Sequence, residues 1–409
     1  MSEEQNCTPA GHAAIPGDPV ANIFGAGGAS AFIENSLGKE VVHGRGEATR
    51  FAGLVSWDDL NRALETHRLA PPRLALVNNG KNIPVERFTR AIGTQTWLDA
   101  GRLTALLGQG ASLTFSFVDE VFPEVRRYAD ALAQALHAHV NVNLYAGFRR
   151  ERGFAEHWDR HDVIAVQVAG RKRWRVREPS RPFPHRDERR EQEPHDGPFV
   201  LDAMIEAGDM VYIPRGWWHF AEPQDEPSLH LTFAIERPTA PNFVEWLGKR
   251  LLDDPLARAD LPSHGSPEEQ EVFVHGLGDA AKALFTPAML SEFLASWRAD
   301  RRARPRFRLP QVASFPAGGI GPQTGLRLAN QRGLAPRTGV GGASEFTVGG
   351  RDWPCGATVG DALARLRSDA QVVLAELQQG LTPSEQGELQ AILQGLVMAG
   401  EVVCDFADD

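Results

Sequence analysis

The sequence predicts a mainly β core, either a barrel or a double-sheet jelly roll with flanking helices, followed by an α-helical segment and a small winged-helix-like closing unit. Two observations carry that prediction. Between Val140 and Ile235 the chain breaks into short apolar or alternating runs separated by Gly, Pro and charged loops. Strands of that kind, with no helices between them, close into barrels or stacked sheets. On either side of this region the apolar residues recur at helical spacing instead. At 409 residues the chain is long enough for two to three domains, at about 100–200 residues each.

Taken in order, Met1 to Phe24 is rich in Gly, Pro, Ala and Asn without period, and residues 1–25 are expected to be mobile. Ser56-Trp57-Asp58-Asp59 reads as a helix start, with Ser at the N-cap and an acid at N3, leading into Leu60 and Leu64. Pro72 to Val77 reads as a strand ended by the turn Asn78-Asn79-Gly80. Asp99 opens a helix with Leu103, Leu106 and Leu107, stopped by Gly108-Gln109-Gly110, and a strand from Ser112 to Val118 follows. A helix from about Pro123 to His137 carries Val125, Tyr128, Leu132 and Leu136 on one face. The core strands are read at 140–146, 163–168, 171–177, 210–213 and 228–235. The long charged connection 178–198 between them is of a length that is usually functional or mobile.

Beyond Pro241 the chain turns helical. Ser266-Pro267-Glu268-Glu269 is a capping box with Pro at N1, and Thr286-Pro287 opens a helix with the stripe Leu290, Phe293, Leu294 and Trp297. That stripe must bury against this chain or a second copy. Residues 305–344 are Gly/Pro-rich and read as a connector. Over 345–409, helix starts at Thr358 to Asp361 and at Thr382 to Glu385, a stop at Gly400 and a last strand suggest the winged-helix-like unit. That segment holds eleven Asp and Glu against three Arg and no Lys, a net of −8. Phosphate binding needs cationic surface, so a nucleic-acid role is not expected.

Composition narrows the class. Hydrophobic residues at 42% and charged residues at 23% are those of a globular chain rather than a disordered one. No apolar run approaches the ~18 residues of a membrane span, and the Glu3-Glu4 start predicts no secretory signal. Three distant cysteines, Cys7, Cys355 and Cys404, form no disulfide framework and fit a reducing cytoplasm.

The chemistry concentrates in three places. Phe154-Ala-Glu-His157-Trp158-Asp159 contains His-x-Asp, and on extended backbone positions i and i+2 project to one face. Alone, that pair occurs by chance in many proteins. Gly208-Asp-Met-Val-Tyr-Ile213-Pro-Arg-Gly-Trp-Trp218-His219 is a turn, an apolar strand and a Pro/Gly break ending on a histidine that can be aimed back at the first pair. Two histidines and one carboxylate make the facial triad of non-haem iron sites, with three coordination positions open. In Gly170-Arg-Lys172-Arg-Trp174-Arg-Val176 the three arginines share one face, while Lys172, Trp174 and Val176 share the other. The Trp/Val face should be inward. A buried ammonium needs an anion, either a protein carboxylate or one belonging to a substrate.

These motifs, with Gly110-Ala-Ser-Leu-Thr and Asn141-Val-Asn143-Leu-Tyr145, make the run from Gly110 through Arg237 resemble the JmjC/cupin-fold oxygenases of the bacterial ribosomal-oxygenase type. The 62-residue interval from His157 to His219 suits that family, and its helical and winged-helix-like layout resembles the rest of this chain more loosely. The resemblance implies a double-stranded β-helix catalytic domain over 26–240, a dimerising helical segment over 241–304, the connector, and the winged-helix-like domain 345–409. It implies an Fe(II)- and 2-oxoglutarate-dependent, O2-consuming hydroxylase of a protein or peptide side chain, forming a homodimer. Iron falls to His157, Asp159 and His219, and the distal carboxylate of 2-oxoglutarate to Lys172. Tyr145 stands where the family has a Thr or Ser helping that carboxylate. His230 and Thr232 replace an Asn and a Ser, and with Asn143 they complete the expected co-substrate set. His161, at i+4 from the first ligand, is expected to be only a neighbour. The basic segment Phe148 to Gly153 is longer than the family's rim turn; 148–152 and the 178–198 loop are the places expected to select the substrate. A hydroxylase of a free amino acid or small natural product, and a non-catalytic metal-binding sensor, are the alternative readings. An inward Lys172 speaks against the sensor.

Overall fold

The computed structural model describes residues 18–25, 27–184, 196–299, 320–329, 335–338, 344–348, 351–366 and 370–405. The chain divides into two units, Met1–Arg237 and Pro238–Asp409. Among the described residues no helix is long and apolar enough to cross a membrane.

The first unit begins with helices α1 (Pro19–Phe24) and α2 (Gly28–Asn35). Residues 18–24 therefore differ from the expected mobile start. Asp18 caps α1 by accepting from Val20 N, Pro19 sits at the first helical position, and Ile23 is buried. Then come β1 (Val42–Gly44), α3 (Trp57–Thr66), β2 (Leu74–Asn78), β3 (Lys81–Asn82), β4 (Thr89–Ile92), β5 (Gln95–Leu98), α4 (Ala100–Gly108), β6 (Ser112–Phe115) and α5 (Pro123–Ala135). The Ser56–Asp59 capping box and the Asp99 cap are both formed. The core strands are β7 (His139–Gly147), β8 (Asp162–Ala169), β9 (Arg171–Arg177), β10 (Phe199–Glu206), β11 (Met210–Ile213), β12 (Trp218–Pro223) and β13 (Ser228–Glu236). Of these, β10 and β12 were not read from the sequence. The middle of the 178–198 connection lies outside the described residues.

An eight-stranded antiparallel sheet has the order β1-β11-β8-β13-β7-β6-β2-β3, and a second sheet has the order β10-β9-β12. Period-2 alternation sorts the large sheet's side chains between two cores. Leu144, Ile164, Val166, Tyr212, Leu231 and Phe233 point to the face covered by α1–α5 and join one apolar cluster with Phe51, Tyr128 and Leu132. Val163, Ala165, Val211 and Ile213 point the other way and pack on Trp174, Val176 and Ile205 of the small sheet. β13 is buried along nearly its whole length. Two of its buried polar residues, His230 and Thr232, are therefore enclosed between the sheets.

The second unit holds α6 (Ala240–Leu251), α7 (Pro267–Leu284) and α8 (Pro287–Ala299), then β14 (Gly325–Leu328), β15 (Ala335–Thr338), β16 (Ser344–Val348), β17 (Arg351–Pro354), α9 (Ala357–Leu363), β18 (Val372–Val373), α10 (Leu374–Leu377), α11 (Pro383–Met398) and β19 (Val402–Asp405). The stripe on α8 meets α6. Phe293 is buried and its ring lies 5.3 Å from Phe243, 5.9 Å from Trp246 and 6.1 Å from Trp297. Much of 305–344 lies outside the described residues. Within it, however, β14 pairs with β18 and β19. Leu326 and Leu328 are buried there, an alternation that the surrounding glycines and prolines hide. α9 starts one residue before Thr358, with Gly356 as its cap.

Candidate functional site

A cavity of about 250 Å³ opens between the two sheets, lined by the predicted residues Asn143, Tyr145, His157, Asp159, His161, Lys172, His219, His230 and Thr232. It is completed by Ser112, Phe154, Val163, Trp174 and Phe220, among others. Trp174 was read as inward-facing; the rest carry no local signal, because their roles depend on which strands become neighbours.

At one end, backbone pairing brings the histidines together. His157 lies outside the named strands, in a single antiparallel bridge with His219. His219 N donates to His157 O at 2.7 Å and His157 N to His219 O at 3.1 Å. The expected strand at 157–159 is thus one bridge on the margin of β12. The i, i+2 relation survives, with Asp159 Oδ2 lying 3.8 Å from His157 Nε2 and 3.4 Å from His219 Nε2. Each imidazole is held through its other nitrogen. Nδ1 of His157 bonds Ala155 O and Nδ1 of His219 bonds Trp217 O, both at 2.9 Å. With Nδ1 of each ring committed to a carbonyl, Nε2 is the nitrogen left facing Asp159, available to a metal once it carries no proton. The three donor atoms lie within 4.8 Å of one another. Burial would raise the Asp159 carboxyl, but the hydrogen bond from His219 and the fields of His161, His157 and His219 outweigh it and hold it well below the usual range.

The segment is stitched to the turn before β12. Gly216 N donates to Asp159 O at 2.8 Å, and Arg215 N donates to Asp162 Oδ1 at 2.9 Å. Gly216 has φ +85°, and a Cβ there would lie 2.7 Å from Pro184. Asp162 is buried and also receives Arg237 Nε at 2.7 Å. No motif pointed to this carboxylate. A donor set of two imidazoles and a carboxylate, pre-aligned by carbonyls and open on the cavity side, fits a divalent metal such as ferrous iron. His161 lines the cavity but is not one of the three clustered donors.

At the other end lies Lys172. β9 alternates exposed or half-buried arginines with buried Lys172, Trp174 and Val176, as period-2 reading required. The reversal into β9 runs through Gly170 at φ +63°, where a Cβ would come within 2.2 Å of Pro227 O. Lys172 Nζ bonds His230 Nδ1 at 2.8 Å and Tyr145 O at 3.3 Å. Burial pushes its pKa down to about 7. His230 is held well below its ordinary value by burial and by the neighbouring ammonium. Its ring stacks on Tyr145 at 4.8 Å, its register partner across β13 and β7. Thr232 sits opposite Asn143, whose Oδ1 accepts from Phe117 N at 3.2 Å.

The rim arginines are committed to partners. Arg149 Nε donates to Gly108 O, Arg150 pairs with Asp225, and Arg152 pairs with Glu222. The outer arginines of β9 likewise meet Glu226, Asp202, Glu222 and Glu156.

The JmjC domain matches residues 118–243, a span holding every one of these predicted residues. The chain carries a JmjC domain. A Drosophila yakuba protein named bifunctional lysine-specific demethylase and histidyl-hydroxylase NO66 is 27% identical over 241 residues, covering 57% of this chain and 34% of that protein. The protein of the same name from Drosophila persimilis is 30% identical over 141 residues, covering 34% and 20%. The chain spans about a third or less of these two relatives' length. Among solved structures, the Escherichia coli ribosomal oxygenase YcfD aligns over 92% of this chain and 98% of its own, with a TM-score of 0.52 and 16% identity. A YcfD structure in complex with cobalt and 2-oxoglutarate aligns over the same shares with a TM-score of 0.51. These likenesses show the JmjC, cupin-type double-sheet fold that the family resemblance implied and that fits the barrel or jelly roll expected from the strand pattern.

Proposed function

We propose that this protein is an Fe(II)- and 2-oxoglutarate-dependent oxygenase that hydroxylates an amino-acid side chain of a protein or peptide. The observation that carries the reading is one cavity with a His157–Asp159–His219 donor cluster at one end and, at the other, an inward Lys172 amine with no acid partner among the described residues. His157, Asp159 and His219 would hold the iron. Lys172 would meet the distal carboxylate of 2-oxoglutarate, helped by Tyr145, His230, Thr232 and Asn143. Iron and 2-oxoglutarate bound together supply dioxygen-dependent hydroxylation of a C–H bond, coupled to decarboxylation of the co-substrate to succinate. The chain's own part is to orient and enclose. The carbonyls of Ala155 and Trp217 fix both imidazoles, Trp174 and Val163 wall off water, and Phe154 stands at the cavity's partly exposed side.

A protein or peptide substrate is favoured by the names of the NO66 and YcfD relatives. The homodimer is proposed on α7. None of its eighteen residues is buried, and Val272 and Val274 are largely exposed, which suits a second copy covering it. Sedimentation as a monomer removes that part. The proposed location is the cytoplasm, which suits a chain with only three cysteines, Cys7, Cys355 and Cys404, far apart in sequence. Anaerobic Fe(II) with 2-oxoglutarate should give the weak visible band of a chelated 2-oxo acid, and air should then yield succinate. Neither band nor succinate would return the protein to the sensor reading. A co-expressed peptide or protein that gains one oxygen names the substrate.

A further inference from the structure

Lys172 and His230 form a contact that neither the metal cluster nor the family resemblance requires. Lys172 Nζ lies 2.8 Å from His230 Nδ1, and an ammonium has only hydrogens to offer. While Lys172 is charged, the imidazole must therefore accept at Nδ1, which leaves it neutral with its proton on Nε2. Nε2 has no partner among the described residues, and the ring forms part of the cavity wall. The groups meeting Lys172 from each neighbouring strand are all uncharged. They are Tyr145 O on β7 and His230 on β13, with Ile205 on β10 and Pro223 on β12 as register partners. Along the cavity lining the one carboxylate is Asp159, within the metal cluster.

Resting on the co-substrate assignment above, we propose that His230 is a positioning residue holding Lys172 at the cavity wall, and that this amine keeps its proton firmly only when a ligand carboxylate is beside it. Loading of 2-oxoglutarate is therefore coupled to proton uptake above neutral pH. The direction follows from the environment. In the ligand-free cavity, burial favours the neutral amine and brings its pKa to about 7. A carboxylate beside Nζ raises the pKa again, so binding at higher pH must bring a proton along. Affinity is full below about pH 7 and falls about tenfold per pH unit above it. His230 lends Nζ an acceptor without adding charge. Removing that acceptor makes the buried ammonium harder to keep and moves the fall to lower pH.

Titration calorimetry under anaerobic conditions, on protein loaded with Mn(II), tests this in buffers of different ionisation enthalpy from about pH 6 to about pH 9. Expected is uptake of about one proton per 2-oxoglutarate near pH 8 and almost none near pH 6. Pyruvate has the same 2-oxo acid head but no distal carboxylate, and should bind without the uptake. Lys172→Arg, permanently charged, should abolish the uptake even where affinity is reduced. His230→Phe keeps a ring on Tyr145 but loses the acceptor. It should lower the pH at which affinity begins to fall by about one unit, an approximately tenfold loss near pH 8. His230→Asn, which retains an acceptor oxygen, should restore the wild-type midpoint. Absence of 2-oxoglutarate binding at every pH overturns both this inference and the proposed function. Binding without proton uptake, or with the same pH slope for pyruvate, overturns this inference alone. Equal midpoints for His230→Phe and wild type would reduce His230 to packing.

Discussion

The two ends of the cavity handle charge in opposite ways. At the metal cluster, Asp159 sits among His157, His161 and His219, and those neighbours keep it ionised against its burial. At the Lys172 end the neighbours are an imidazole, a carbonyl and apolar side chains, and burial wins. The first end is pre-assembled: carbonyls fix both imidazoles before any metal arrives. The second lacks an opposing charge among the described residues, and it is where the proposed co-substrate carboxylate would sit. Under the proposed function, this arrangement keeps the permanent metal and the exchangeable co-substrate carboxylate at different ends.

The largest expected effect comes from attacking the pre-assembled end. His219→Ala removes one of three donors and should weaken Mn(II) or Fe(II) binding by more than about 100-fold, the ceiling for groups that only support ligands. Metal affinity preserved in that variant would show that the donor set is wrong. Lys172→Met should raise the KM for 2-oxoglutarate roughly 30-fold or more, yet stabilise the ligand-free protein by roughly 1–4 kcal/mol at pH 7. The stabilisation has a definite pH window. Unfolded lysine binds its proton up to its ordinary 10.5, whereas the folded one does so only up to about 7. The burial penalty is therefore complete below about pH 7 and fades as pH rises toward 10.5. Thermal melts across that range check it, and a destabilised Lys172→Met would contradict the incomplete-charge account.

Smaller effects sharpen the contrast. Asp162→Asn weakens the tie to Arg237 and disturbs the link to the Arg215–Gly216 turn. It should cost about 1–3 kcal/mol in chemical unfolding and about tenfold in metal affinity through His219. An unchanged metal affinity would mean that the turn does not position the histidine. Arg173→Ala, on the exposed face of β9 opposite Asp202, should leave both melting temperature and metal binding unchanged, because exposed pairs contribute little.

Legibility in the sequence followed locality. The caps at Ser56, Asp99, Ser266 and Thr382 formed as read, because an N-cap and its partner lie within one turn. The alternation of β9 held because side-chain direction on a strand has period two. The α8 stripe was legible as something to bury, but its partner was not; it was α6 that covered Phe293. β10, with alternating exposed and half-buried positions, and β12, masked by its Pro/Gly approach, were not legible. Asp162 went unread because its partners, Arg215 and Arg237, are 53 and 75 residues away.

By itself the sequence determined that there would be an inward lysine, a His-x-Asp pair on one face, a histidine after a Pro/Gly break, and enough short strands to enclose them. Tertiary structure alone decided that His157 and His219 would share a bridge, and that His230 would stand in hydrogen-bonding reach of Lys172 across 58 residues of chain. The reason is strand register. Which face a side chain takes is set by its own few neighbours, but whom it meets there depends on pairings along every intervening strand. A slip of one residue in β13 would carry His230 out of the cavity altogether.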